Sequence, residues 1–150
     1  MYRGVSDLSL DAKGRLAVPT RYRQALQEEC GGRLVVTIAR DARCLWMLPL
    51  PQWEEMAAKL NNLSNEPEAE RLKRLIFGHA TDCDMDRSGR VLLTPPLRKH
   101  AGLDKNLRML GRGNKFEIWD QALWDQRLQE WLGADLNFAG LPQELQELSL

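Results

Sequence analysis

The chain repeats itself, and that repeat constrains its fold more than any other feature. Leu10-Asp11-Ala12-Lys13-Gly14-Arg15-Leu16-Ala17-Val18-Pro19 is echoed by Met85-Asp86-Arg87-Ser88-Gly89-Arg90-Val91-Leu92-Leu93, which runs on into Thr94-Pro95-Pro96. An offset of 75 places Asp11 on Asp86, Gly14 on Gly89, Arg15 on Arg90 and Arg23 on Arg98. A second offset of 71 places Leu48 on Trp119 and Trp53 on Trp124. The 150 residues therefore read as two similar units in tandem, either one domain or two small fused ones.

Each copy runs apolar, Asp, two variable residues, Gly, Arg, then an apolar stretch. This spacing predicts a tight hairpin in which the Asp carboxylate accepts turn amides and Gly takes a positive φ. Asp11, Gly14, Asp86 and Gly89 are thus turn-shaping residues, and each holds an arginine near an exposed tip. Pro19 or Thr20 opens a first helix and Thr94 with Pro95 a second; Gly31-Gly32 and Gly102 close them. Arg33 to Ile38, Leu45 to Leu48, Leu107 to Leu110 and Phe116 to Trp119 read as strands, the last two joined by Gly111-Arg112-Gly113-Asn114.

Pro51 opens a helix to about Leu60, and Gln121 to Leu132 is its counterpart. Asn65-Glu66-Pro67-Glu68 predicts a connecting helix with a capping glutamate, carrying Leu72, Leu75 and Ile76 on one face until Gly78. The plan is a first unit over 1–60, a connecting helix over 61–78, a second unit over 79–132 and a tail over 133–150. Within the tail, Pro142 to Leu148 fits either one more short helix or a mobile end.

Charge balances overall, with 21 basic and 21 acidic side chains, so its distribution carries the information. Arg3, Lys13, Arg15, Arg21 and Arg23 face only Asp7 and Asp11 in the first 23 residues. The second turn also lies in a basic stretch, whereas from Glu117 onward Arg127 alone opposes seven acids. Basic clustering around both turns is the footprint of a nucleic-acid face. No apolar run approaches the roughly 20 residues that span a bilayer, and no signal-peptide pattern opens the chain. Cys30, Cys44 and Cys83 show no Cys-x-x-Cys spacing, which points to a reducing cytoplasm.

Other chemistry finds little footing. Asp82-Cys83-Asp84-Met85-Asp86 imitates the start of a calcium loop, yet Arg87 stands where Gly is needed and Leu93 where Glu is needed. Alternation suggests instead a strand with Cys83 and Met85 inward. His79 and His100 offer no metal set, Gly111-x-Gly113 lacks the lysine of a phosphate loop, and no serine lies in a nucleophile elbow. No cofactor, metal or small-molecule substrate is expected, and the chain does not read as an enzyme. Trp53 and Trp124 occupy equivalent helical positions, which suits core packing better than base stacking. The bland reading of each turn is an Asp–Arg pair across it.

The run apolar-Asp-x-x-Gly-Arg-apolar-x-apolar-Pro-x-x-x-Arg resembles the swapped-hairpin DNA-binding domain of AbrB-type regulators. Two such units in one chain resemble the MraZ family. Met1-Tyr2-Arg3-Gly4, Pro49-Leu50-Pro51-Gln52-Trp53-Glu54, Gly78-His79-Ala80 and Asn114-Lys115-Phe116-Glu117-Ile118-Trp119-Asp120 extend the likeness, as does the ending Leu145-Gln146-Glu147-Leu148-Ser149-Leu150. The resemblance implies an α+β, mainly β fold: a double-split β-barrel of two tandem AbrB-like units with peripheral helices. It implies a sequence-specific, double-stranded DNA-binding transcriptional regulator, cytoplasmic and nucleoid-associated. Such a protein forms ring-shaped homo-oligomers on direct repeats upstream of its own division and cell-wall operon, as a repressor.

Carried onto this chain, the resemblance assigns DNA contact to Lys13, Arg15, Arg87 and Arg90, with Arg3 close by. Arg23 and Arg98 match a basic helix position that serves either DNA or an internal ion pair. One departure stands out: Thr94-Pro95-Pro96 replaces Pro19-Thr20-Arg21, so the second copy lacks a counterpart of Arg21 and the halves need not contribute equally. A closed homo-oligomer also needs a second surface, for which the connecting helix and the corner at Leu48 to Pro51 are candidates. The rival reading is an AbrB-fold protein-interaction or antitoxin-like module, against which two units and a short tail argue.

Overall fold

A computed structural model of the chain describes residues 1–134 and 140–148. Its first half runs β1 (Tyr2–Ser9), β2 (Arg15–Ala17), α1 (Thr20–Cys30), β3 (Leu34–Ile38), β4 (Leu45–Pro49) and α2 (Leu50–Asn61). After α3 (Pro67–His79) the order repeats: β5 (Thr81–Asp82), β6 (Arg90–Leu92), α4 (Pro95–His100), β7 (Asn106–Gly113), β8 (Phe116–Asp120) and α5 (Gln121–Gly133), with α6 (Gln143–Gln146) near the end. The fold is mixed α+β, with wholly antiparallel sheets.

Six strands form one sheet in the order β1-β7-β8-β4-β3-β5, and β2 with β6 forms a separate two-stranded ribbon. The hairpins β3–β4 and β7–β8 meet at the centre, where Leu45 to Met47 pair with Ile118 to Phe116. The outer strands are exchanged. β1 of the first unit lies on β7 of the second, from Tyr2↔Gly113 to Ser9↔Asn106, while β5 of the second unit lies on β3 of the first. Neither unit completes its own sheet.

The central strands are buried along their length and apolar but for Thr37 and Glu117: all of β3 and β4, and Phe116 to Trp119 of β8. Leu16 and Val91 of the ribbon, Leu26 of α1 and Leu97 of α4 join Met47, Met109 and Ile118 in one continuous cluster. Each fully buried side chain of this size contributes about 1.5–3 kcal/mol, so joining both units in one core is a large part of what holds the exchange together. Trp124 packs edge-on against Trp119 at 5.5 Å, and Trp53 is half-buried against the core. Cys30, Cys44 and Cys83 are buried free thiols, and burial pushes Cys83 up to about 11.

The structure corrects several local expectations. α3 begins at Pro67, but Glu66 makes no capping bond through its side chain. On that helix Leu72, Leu75 and Ile76 share one face, as their spacing predicts; Ile76 is buried, Leu72 half-buried and Leu75, at the edge of the stripe, 41% exposed. β7 continues through Gly111 and Gly113, leaving Asn114 and Lys115 as the hairpin turn. At the corner from Leu48 to Pro51, Leu48 and Pro49 are buried, Leu50 is half-buried and Pro51 is exposed. Of the tail expected over 133–150, residues 135–139 and 149–150 lie outside the described residues. Among those described, no helix is long and apolar enough to cross a membrane.

Candidate functional site

Both glycine turns close by the same local chemistry. Asp11 Oδ1 accepts the amides of Lys13 and Arg15, each at 2.9 Å, and Asp86 Oδ1 accepts those of Ser88 at 2.8 Å and Arg90 at 2.9 Å. Gly14 and Gly89 donate to the carbonyls of Asp11 and Asp86 at 3.0 Å, with φ of 83° and 76°. A carboxylate that accepts two amides is favoured in its charged form. Both aspartates are accordingly held below the usual carboxylate range, chiefly by the Arg15 amide for Asp11 and the Arg90 amide for Asp86.

β2 and β6 then bring the two turns into one surface. The ribbon pairs Arg15↔Leu92, Leu16↔Val91 and Ala17↔Arg90, extended by Val18 N to Gly89 O at 2.8 Å and Leu93 N to Gly14 O at 2.9 Å. Side chains alternate along a strand. Leu16 and Val91 are fully buried, so Arg15, Ala17, Arg90 and Leu92 share the outward face. Arg15 and Arg90 are diagonal neighbours there, about 7–8 Å apart at the backbone. Leu92 is 50% exposed between them.

The two arginines are not equally held. Arg15 donates through Nε to Asp11 Oδ2 at 2.8 Å and is half-buried, which realises the Asp–Arg pair across the first turn. Its terminal nitrogens have no hydrogen-bond partner among the described residues. Arg90 is exposed and makes no ion pair with Asp86 among the described residues; Lys13 and Arg87 are exposed at the turn tips. Arg3 does not join this group. It lies toward the start of β1, opposite Arg112, seven residues back from Leu10 and so roughly 20 Å from the first turn.

Arg23 and Arg98 have internal roles that their spacing alone left open. Arg23 Nε donates to Val18 O at 2.7 Å and Arg98 Nε to Leu93 O at 3.0 Å. Each guanidinium also covers the glycine of the opposite turn. A Cβ on Gly89 would come within 2.6 Å of Arg23 Cζ, and one on Gly14 within 3.0 Å of Arg98 Cζ. Each repeat therefore clamps the other's turn. The only signal in sequence was the recurrence of arginine eight residues after Arg15 and after Arg90. Arg21 is engaged too, donating to Ser6 Oγ at 2.8 Å and lying over the Tyr22 ring at 4.7 Å, which ties β1 to α1.

Residues 1–75 and 76–146 each match the protein family described as "MraZ protein, putative antitoxin-like". Over its full length the chain is 51% identical to the transcriptional regulator MraZ of Halorhodospira halophila, covering 100% of both proteins. It is 49% identical to the transcriptional regulator MraZ of Klebsiella pneumoniae (strain 342) and 45% identical to that of Coxiella burnetii (strain RSA 331 / Henzerling II), again over 100% of each.

Proposed function

This chain belongs to the MraZ family of transcriptional regulators, which are not enzymes, and from that premise we propose that the outward face of the β2–β6 ribbon binds double-stranded DNA sequence-specifically. One observation carries the reading: cross-unit pairing sets Arg15 and Arg90 side by side on the exposed face of a ribbon whose other face is core. A two-stranded ribbon fits the major groove, about 12 Å wide, and a bidentate arginine–guanine contact contributes about 1–3 kcal/mol of discrimination. Asp11 steadies the Arg15 fork for such a contact. Lys13 and Arg87 at the tips reach phosphates, which set register and orientation. Arg3, far along β1, takes at most a flanking phosphate.

In the finer reading, the exchanged strands and the ribbon make the double-split barrel of two AbrB-like units, spanning 1–60 and 79–132. Residues 61–78 connect them, and 133–150 form the tail. Copies of the chain assemble into a ring on direct repeats upstream of their own operon and act there as a repressor, in the cytoplasm at the nucleoid. The competing reading, an antitoxin-like protein-interaction module, has the family's description on its side.

Gel shifts of the pure protein on its own upstream DNA and on scrambled DNA test the proposal. Arg15→Ala is expected to abolish the preference for upstream DNA while circular dichroism stays unchanged. Undiminished preference in that variant sinks the site assignment. A wild-type protein that prefers neither DNA returns the protein-interaction reading to first place.

A further inference from the structure

A cleft of about 550 Å³ lies between α3 and the segment linking β3 to β4, with His100 of α4 at its edge. Its floor is apolar, made by Ile38, Leu72, Leu75 and Ile76. Arg40, Arg43 and Arg71 line it, and none of them forms an ion pair among the described residues. Arg43 donates Nε to the carbonyl of His100 at 3.2 Å, which keeps its charge on the cleft but leaves it unneutralised. Glu68 is the one carboxylate among the lining residues. Beyond Leu72 and Ile76 the surface continues into a second, smaller cleft of about 210 Å³ that shares Arg40 and adds Met56, Leu60 and Leu63. The whole is an apolar trough with a cationic rim.

The end of the chain has the opposite character. Residues 141–148 hold Glu144 and Glu147 and no basic side chain. Leu145 and Leu148 lie three apart on this single turn, which places them on one side, and they are 42% and 53% exposed. Among the described residues, the hydrogen bonds of 141–148 stay within the segment: Leu145 N to Pro142 O at 2.9 Å, Gln143 Nε2 to Glu147 Oε1 at 3.1 Å and Gln146 Nε2 to Leu141 O at 2.6 Å. An acidic helical turn with a leucine stripe is left uncovered on a molecule that carries a matching cationic, apolar trough.

We infer that the trough of one copy receives the acidic C-terminal segment around α6 of a second copy. The leucine stripe lies on the floor formed by Leu72 and Leu75, and Glu144 with Glu147 faces Arg40, Arg43 and Arg71. The two patches differ, so the contact is heterologous, and repetition of a heterologous contact builds rings or filaments rather than closed dimers. This deepens the multi-copy reading above and rests on it.

Charge reversal in the full-length chain tests it. One variant carries Arg40→Glu with Arg71→Glu, and the other Glu144→Arg with Glu147→Arg. All four positions are exposed, and circular dichroism with thermal melting checks that both variants fold. In light scattering each variant alone is expected to associate at least tenfold more weakly than wild type, a change of about 1.4 kcal/mol. Mixing the two is expected to restore the assembly, because each variant's tail then meets a trough of opposite charge on the other.

Wild-type mass in either variant alone overturns the docking and leaves the multi-copy reading standing. Failure of the mixture to associate also overturns it, since the tail would then be docking on its own chain. A wild type that is monomeric at every concentration overturns both.

Discussion

At the scale of single residues, the turns depend on charge, backbone sign and one cross-unit contact each. Asp11 and Asp86 ionise more readily in the fold than in the unfolded chain, whose aspartates titrate near 3.9. Their contribution is therefore complete above that pH and is lost as pH falls through the lower folded values. Asp86→Ala should lower the melting temperature at pH 7, and the gap from wild type should close as melts are repeated from pH 5 down to pH 2. A gap as wide at pH 2 as at pH 7 would mean that the charge contributes nothing.

Gly89→Ala faces a φ of 76°, which costs roughly 1–2 kcal/mol for a residue with a Cβ. It also meets the Arg23 guanidinium, which its bond to Val18 O holds in place. Its loss in urea unfolding should be about 2 kcal/mol or more, and larger than that of Gly14→Ala, where Arg98 leaves more room. Arg23→Ala should cost about 1 kcal/mol in the same assay, because Val18 O loses its donor. DNA affinity and its salt slope should both be unchanged for the folded fraction of Arg23→Ala. A reduced slope would make Arg23 a phosphate contact instead.

At the scale of elements, α3 has two attachments to the sheet. Ile76 packs into the core, and its carbonyl, one of the last four of the helix and so without an intrahelical donor, accepts the buried hydroxyl of Thr37 at 2.7 Å. Thr37→Val keeps the shape of the side chain and removes that donor, leaving a buried carbonyl unsatisfied at a cost of about 1–3 kcal/mol. For a chain of this length each kcal/mol shifts the melting temperature by roughly 2–4 °C. The variant should therefore melt several degrees lower, yet bind DNA normally at low temperature, because the ribbon's backbone bonds are all made without α3. An unshifted melt would mean that water or another donor replaces the hydroxyl.

At the scale of the whole molecule, one ribbon covers few base pairs, so affinity should come from engaging several together. Light scattering should give a mass well above the 17.2 kDa of one chain. A probe with several repeats should bind about 10²–10⁴ times more tightly than one with a single repeat. Each phosphate neutralised adds a slope of about −0.9 in log K against log salt. Phosphate contacts from Lys13 and Arg87 would thus give roughly −2 per engaged chain. Equal binding to single and multiple repeats by a monomer would refute the avidity account. Arg90→Ala should weaken binding less than Arg15→Ala, since no ion pair steadies the Arg90 fork. Equal losses in a titration of both variants would show that this pairing does not matter.

What the sequence determined by itself is what short-range physics controls. Asp accepts amides two and four residues on, Gly takes the left-handed φ, and Pro starts a helix, so the turns at Asp11 and Asp86 and the positions of α1, α2 and α5 were legible from neighbours alone. The turn after β7 was misread because glycine content marks where a chain can turn but not how far the strand pairing continues. Only the tertiary structure decided that β1 crosses to β7, that β5 crosses to β3, and that β2 joins β6. These pairings link residues some 45 to 111 positions apart, and no local preference selects them. They form because exchange lets Leu16 and Val91 share one core with Met47 and Ile118. The same exchange sets Arg15 beside Arg90 and lays Arg23 and Arg98 across each other's turns, turning two copies of a motif into a single surface.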